Sequence, residues 1–337
     1  MKYKVAVVGA TGNVGRQMLN VLYERNFPIS QLIAIGSDRS TPKKVSFGDD
    51  VLEVQPLSSY DFAGTDIALF SAGAAASRQY AEIAAKSGCV VIDNSSCFRM
   101  DDDIPLVVPE VNLDKLRDYS NKNIVANPNC AVLQMVVALK PLNDYAKIKR
   151  IIVSTYQSVS GAGKKAMDEL FNQTKSKFFN QNVQPVHFQR QIAFNIIPQI
   201  GEFLEGGYSS EEWKMIVETQ KIFDQEIDVI PTCVRVPVFI GHSESVTVEC
   251  EEHITPEIAH ELLANAPSVK LCAEYNYNTP IECIGDYSVF VSRIRGCGNS
   301  RICNYNTLSM WVVSDNLRKG AALNAVQIAE ELINGYL

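Results

Sequence analysis

The stretch VAVVGATGNVG, Val5 to Gly15, limits the fold of this chain more than any other. Lys4 to Val8 is a short, valine-rich run, as expected of a parallel strand buried on both faces. Gly9, Gly12 and Gly15 follow at three-residue spacing, and Val14, Met18, Val21 and Leu22 then recur at helical spacing. A strand feeding a helix through such a turn suits a dinucleotide. The glycines allow a tight turn and close backbone approach, and the helix N-terminus offers free N–H groups to a pyrophosphate. Gly9, Thr11, Gly12, Asn13 and Val14 are the expected contacts. The plainer alternative is a glycine turn with no ligand.

Further strands are predicted at residues 31–35, 66–70, 89–92 and 124–126, with a helix over 80–86. Strands alternating with helices give a doubly wound, Rossmann-like parallel sheet. After Leu142 the pattern changes. Strands at 151–156, 234–238, 245–249 and 289–294 read as an α+β domain of mainly antiparallel sheet. Residues 172–192 are rich in glutamine and asparagine. Their interspersed Phe178, Phe179, Val183 and Phe188 favour an ordered arm at a subunit contact over disorder. A last helix is expected from about 315 to 335, carrying Leu317, Ala321, Leu323, Ala325, Ile328 and Leu332.

The chain has 337 residues, enough for two domains at roughly 150 residues each. We place a nucleotide-binding domain at residues 1–129, completed by the C-terminal helix over 315–337, and a catalytic domain at 130–314. A net charge of -7 argues against a nucleic-acid surface. No apolar run reaches the roughly 18 residues that span a bilayer, and the N-terminus passes straight into a strand, without a signal-peptide pattern. The nine cysteines are odd in number and form no Cys-x-x-Cys pair, which suits neither a disulfide framework nor zinc. They read as packed thiols in a reducing cytoplasm.

The second strand runs into IGSDRST. An NAD site usually places an acid there for the ribose 2′-hydroxyl. Ser37, Arg39 and Ser40, with Thr41, suit a 2′-phosphate and point to NADP, while Asp38 keeps a ribose contact open.

Cys130, in IVANPNCAVLQ, falls at the first turn of a predicted helix. The helix dipole favours its thiolate there. Asn127 and Asn129 flank it, and Pro128 fixes the turn. Of four histidines, His253 and His260 lie in a charged stretch and His187 in the polar arm. His242, in a Gly-His-Ser turn after a strand, is the best proton partner.

Together GATGNVG, NPNC, STYQSVSGAG and RVPVFIGHS resemble the bacterial aspartate-β-semialdehyde dehydrogenases, from residue 3 to about 330. The resemblance implies reduction of L-aspartyl 4-phosphate by NADPH to L-aspartate 4-semialdehyde and inorganic phosphate. That is a step toward lysine, diaminopimelate, threonine and methionine. It implies no metal, and a homodimer built through the second domain. Cys130 resembles the family nucleophile, His242 its acid/base, and Gln157 the residue orienting the acyl intermediate. Arg235 resembles the α-carboxylate clamp, and Arg99 and Lys214 the phosphate contacts. Asn129 joins the substrate set beside Cys130. Glu211, three residues before Lys214 on one helical face, suits the substrate ammonium, with Glu212 as the alternative. Ser160, Gly161 and Asn316 resemble further cofactor contacts. One departure is Ile230-Pro231, where many relatives carry a small or polar residue. Two rival readings stand beside this one: an N-acetyl-glutamyl-phosphate reductase, and a catalytically dead paralogue.

Overall fold

Strand β1 (Tyr3–Val8) is buried almost throughout and sits mid-sheet, as its valine-rich run requires. The structure, a computed structural model, describes residues 1–41, 43–182, 184–296 and 306–337. It divides into two units, residues 1–129 with 320–337, and residues 130–319.

In the first unit β1 leads to α1 (Asn13–Glu24) and β2 (Ile29–Gly36). Then come β3 (Lys44–Phe47), β4 (Asp50–Pro56), β5 (Ile67–Phe70), α2 (Ala74–Lys86), β6 (Val90–Asp93), α3 (Pro109–Asn112) and β7 (Ile124–Ala126). The sheet has the order β3-β4-β2-β1-β5-β6-β7, and every pair is parallel except β3–β4. That edge hairpin has no counterpart in the predicted strands. Its residues are mostly polar and exposed, so no buried run marks it. Its turn needs the left-handed Gly48 (φ 57°).

The second unit opens with α4 (Cys130–Ala146), followed by β8 (Ile148–Gln157), α5 (Lys164–Phe178), α6 (Ser210–Phe223), β9 (Asp228–Arg235) and β10 (His242–Cys250). α7 (Pro256–Ala264), β11 (Val269–Leu271), α8 (Pro280–Cys283), β12 (Val289–Gly296) and β13 (Thr307–Ser314) complete it. Its sheet runs β11-β12-β13-β10-β8-β9, with β8–β9 and β11–β12 parallel and the other pairs antiparallel. α4 packs on β8, β10, β12 and β13 and is buried on nearly all sides, which is why it reads as an almost unbroken apolar run. β9 is an edge strand, so Pro231 costs no ladder bond to a further neighbour. The strand expected at 234–238 ends at Arg235.

The polar segment 172–192 differs from a simple arm. Its first part continues α5 to Phe178. The return is then pinned by two buried side chains of that helix. Glu169 Oε1 accepts the Val186 N–H at 3.0 Å, and Gln173 Oε1 accepts the N–H groups of Ile192 (2.9 Å) and Ala193 (3.1 Å). Ile192, Ala193 and Ile197 close a small core with Val159, Ala166 and Leu170. Val183 lies outside the described residues.

The chain returns to the first unit through a wide helical turn at Arg318–Leu323 and then α9 (Asn324–Gly335). Asp315 Oδ1 accepts the N–H groups of Leu317 (2.9 Å) and Arg318 (3.2 Å) and so opens this helical stretch. Arg25 grips Glu330 of α9 with two nitrogens, at 2.7 and 2.6 Å.

Candidate active site

β8 and β9 run parallel and in register, so Gln157 lies beside Arg235 where both strands end. β10 runs the other way and begins at His242, next to the same sheet edge. Register alone thus gathers three residues from distant segments. α6 adds Glu211. Its carboxylate accepts from Gln157 Nε2 at 3.0 Å through one oxygen and from Lys214 Nζ at 3.0 Å through the other. Glu212 does different work. It completes a capping box with Ser209 and accepts the Cys233 N–H at 2.9 Å. The helix geometry therefore leaves Glu211, not Glu212, in the polar cluster.

Gln157, Glu211, Arg235 and His242 are all nearly inaccessible, whereas Cys130 is half-buried at the first residue of α4. Arg235 Nη1 donates to the Ser158 carbonyl at 2.7 Å. Burial pulls the Arg235 pKa down, and the charges of Glu211, Cys130 and Cys233 push it back up. Arg235 thus lies within electrostatic reach of the nucleophile candidate. Burial and the Arg235 charge push His242 down to about 3, so its ring is neutral. A Cβ on Gly161 would stand 3.3 Å from Arg235 Nη1 and from His242 Cε1 and Nε2. Glycine there keeps the space above these groups open.

Ser160 and Asn316 are buried against each other. Asn316 Oδ1 accepts from Ser158 Oγ (3.1 Å), Ser160 Oγ (3.1 Å) and the Gly241 N–H (2.8 Å). The Asn316 side chain is thus engaged in the setting of His242. Behind Cys130 and His242 lies a layer without any sequence signal. Gln134, one turn along α4 from Cys130, accepts Ser314 Oγ at 2.6 Å. Ser314 pairs with His242 in register. Glu244 is fully buried, and burial holds its pKa well above the carboxylate range, only partly offset by the Gln134 amide.

In the first unit Arg99 is 7% exposed, with Nε donating to the Asn127 carbonyl (2.9 Å) and Nη2 to the Asn94 carbonyl (3.1 Å). It braces the turn that precedes Cys130. The Asn127 side chain is spent on that turn, donating to Asn94 Oδ1 and accepting from Asn324 Nδ2 at 2.7 Å. The expectation that its amide serves the sulfur gives way to this. Asn129 is also largely buried.

The glycine turn fits a dinucleotide. Gly9 has φ 88°, and a Cβ there would sit 2.3 Å from the Ser71 carbonyl oxygen. A Cβ on Gly15 would sit 2.2 Å from the Gly9 carbonyl oxygen. The turn admits no side chains, and α1 begins after Gly12 with no side-chain cap on its N–H groups. Thr11, Gly12, Asn13 and Val14 keep accessible surface. At the end of β2, Arg39 is exposed and Ser40 lies 3.3 Å from Thr11 and 3.4 Å from Ser37, hydroxyl to hydroxyl. Asp38 accepts from Ser58 Oγ at 2.6 Å. That bond engages the acid that would otherwise favour a bare ribose.

Comparison with known proteins agrees with both halves. A family model described as semialdehyde dehydrogenase, NAD binding domain, matches residues 4–119. One described as semialdehyde dehydrogenase, dimerisation domain, matches residues 139–319. The chain is 51% identical to an aspartate-semialdehyde dehydrogenase of Rickettsia conorii, covering 100% of this chain and 99% of the relative. It is 53% identical to that of Aquifex aeolicus, covering 99% and 98%. The solved structure of aspartate semialdehyde dehydrogenase II from Vibrio cholerae complexed with ASA matches at TM-score 0.97 and 47% identity, over 100% of both chains.

Proposed function

The chain belongs to the aspartate-semialdehyde dehydrogenase family, and from that premise we propose how its residues carry out the reaction. It is an oxidoreductase of amino-acid biosynthesis that forms L-aspartate 4-semialdehyde from L-aspartyl 4-phosphate. One observation carries the substrate reading: a buried carboxylate, Glu211, and a buried guanidinium, Arg235, share one sheet edge with Gln157 and His242. A free α-amino acid presents one cation and one anion, and this pair supplies both opposites. An N-acetylated substrate has no ammonium for Glu211 to meet. A paralogue without activity has no use for four buried, mutually arranged polar residues, each costly to desolvate.

Cys130 attacks the acyl carbonyl as the thiolate, which the first turn of α4 favours. Arg99, Lys214 and Asn129 receive the phosphate end, and inorganic phosphate leaves. Gln157 orients the resulting thioester, and His242 faces its oxygen. When bound, NADPH supplies the hydride that reduces the thioester to the aldehyde. Gly9, Thr11, Gly12, Asn13 and Val14 would hold its pyrophosphate, and Ser37, Arg39 and Ser40 its 2′-phosphate. Ser160 and Gly161 belong to the same cofactor set. The unit boundary falls between Asn129 and Cys130, with residues 320–337 returning to the nucleotide-binding unit. The catalytic unit works as a homodimer. Ile152, Tyr156 and Ile230 on β8 and β9 are 43%, 37% and 44% exposed, an apolar strip that a second copy would cover. Among the described residues no helix is long and apolar enough to cross a membrane, and we place the enzyme in the cytoplasm, where its free thiols stay reduced.

The test is direct. The protein is mixed with aspartate semialdehyde, phosphate and NADP, and NADPH absorbance is followed. Turnover that requires all three, and is weak with NAD, is the expected result. Turnover of an N-acetylated glutamate semialdehyde instead, or no turnover, refutes the reading.

A further inference from the structure

Nδ1 of His242 accepts the backbone N–H of Ser158 at 3.0 Å. A peptide N–H only donates, so Nδ1 must offer its lone pair. A neutral imidazole has a single proton, which therefore sits on Nε2. The Ser158 peptide has little freedom to turn away. Its carbonyl is held by Arg235 Nη1 at 2.7 Å, while the following residue, Val159, donates its N–H to Val238 at 2.9 Å. Ser158 Oγ stands 3.1 Å from Nδ1 and 3.1 Å from Asn316 Oδ1. The same Asn316 oxygen holds Ser160 Oγ and the N–H of Gly241, the residue before His242. One amide oxygen thus anchors both strands that frame the ring. Among the described residues, Nε2 is buried without a hydrogen-bond partner. It faces the space kept open by Gly161, next to Arg235.

We propose that His242 acts as a neutral imidazole whose Nε2–H donates to the reacting acyl oxygen, held in that form by Ser158 and Asn316 as positioning residues. The proposal rests on the function argued above and assigns its protons. Cys130 does not give its proton to His242, because Nε2 already carries one. The thiolate exists before substrate arrives, favoured by the start of α4 and by Arg235. When sulfur bonds to the acyl carbon, the carbonyl electron pair moves onto oxygen, and Nε2–H hydrogen-bonds that oxyanion. The C=O bond re-forms as the carbon–phosphate oxygen bond breaks, and the leaving phosphate takes its proton from water. In the second half hydride adds to the thioester carbon. The same oxyanion forms and collapses, and the carbon–sulfur bond breaks to return the thiolate. His242 keeps its proton throughout. Arg235 raises the cost of charging the ring and Glu211 lowers it, and burial decides for the neutral form.

The test reads the ring itself. Of the four histidines only His242 is buried, so its resonances in the 15N-histidine-labelled full chain stand apart from His187, His253 and His260. The expected result is a neutral Nε2–H tautomer that does not titrate between about pH 5 and 8. A midpoint inside that range, or a proton on Nδ1, overturns the proposal. Kinetics give a second arm. His242→Gln keeps an N–H donor without a base and should exceed His242→Ala in kcat by on the order of ten- to a hundredfold. Equal loss in the two overturns the donor role. The pH profile of Cys130 alkylation by iodoacetamide should not move in His242→Gln, whereas a shift of its midpoint by about a unit or more would mark His242 as the thiol's base. Asn316→Ala should lower kcat with little change in KM and let the His242 ring begin to titrate. A lowered Tm with an unmoved ring signal would make Asn316 merely structural and remove it from the proposal. The ring and alkylation readouts need no turnover, so failure of the proposed function would show separately.

Discussion

The glycine turn of the first unit and the histidine pocket of the second solve different problems with opposite materials. The turn is contiguous, uses main chain, and works by leaving side chains out: a Cβ at Gly9 or Gly15 meets backbone within 2.3 Å. The pocket draws on α4, β8, α6, β9, β10 and the segment after β13, and works by burying side chains that charge would normally keep in water. A site made of backbone tolerates exchange of its exposed neighbours. A site made of buried polar groups fails when one partner is removed, because the other is left unpaired.

That contrast can be broken most sharply at the nucleophile. Cys130→Ser should cut turnover by about ten-thousandfold or more while NADPH still binds, as followed by fluorescence titration. Loss of both together would mean that the two sites are not separate. Next in size is Arg235. Arg235→Ala should raise KM for the semialdehyde and lower kcat, for a combined loss on the order of a hundredfold or more, and Arg235→Lys should not restore a planar two-point clamp. A defect selective for phosphate would overturn its assignment. At the glycine-turn unit the effect is smaller and confined to one ligand. Arg39→Ala should raise KM for NADPH by about ten- to a hundredfold and leave NADH nearly unchanged. Equal loss with both cofactors would assign Arg39 another role.

The smallest effect is one of stability, and it concerns Glu244. Burial raises its pKa in the folded state above the ordinary 4.5, so the folded form binds the proton more tightly than the unfolded one. Its contribution is then fully present below about pH 4.5 and is lost as pH rises. Glu244→Gln, which cannot ionise, should raise Tm by a few degrees near pH 7 to 8, with the gain vanishing in acid. Calorimetry at two pH values checks this. A gain of equal size at both would point to better packing and not to the proton.

Some of this is legible in the chain alone. Cys130 stands out because a polar Asn-Pro-Asn turn before an apolar helix is a local pattern, and the glycine spacing stands out for the same reason. The edge hairpin of β3 and β4 is not legible, since its side chains face water and carry no period of burial. Nor is the fate of the polar segment 172–192. Glutamine-rich sequence is ambiguous until Glu169 and Gln173 are seen holding its main chain.

By itself the sequence determined the parallel sheet, the glycine turn and the identity of the reacting thiol, because each is encoded by neighbours a few residues apart. Only tertiary structure decided which of two adjacent glutamates enters the pocket. Glu212 is consumed by the start of its own helix, whereas Glu211 meets Gln157 from another strand. The fully buried Gln134, Glu244 and Ser314, and the place of Asn316 around His242, were decided there too. The physical reason is the same in each case. The state of a polar group depends on whether water or a partner faces it, and partners brought by strand register and helix packing lie far away along the chain.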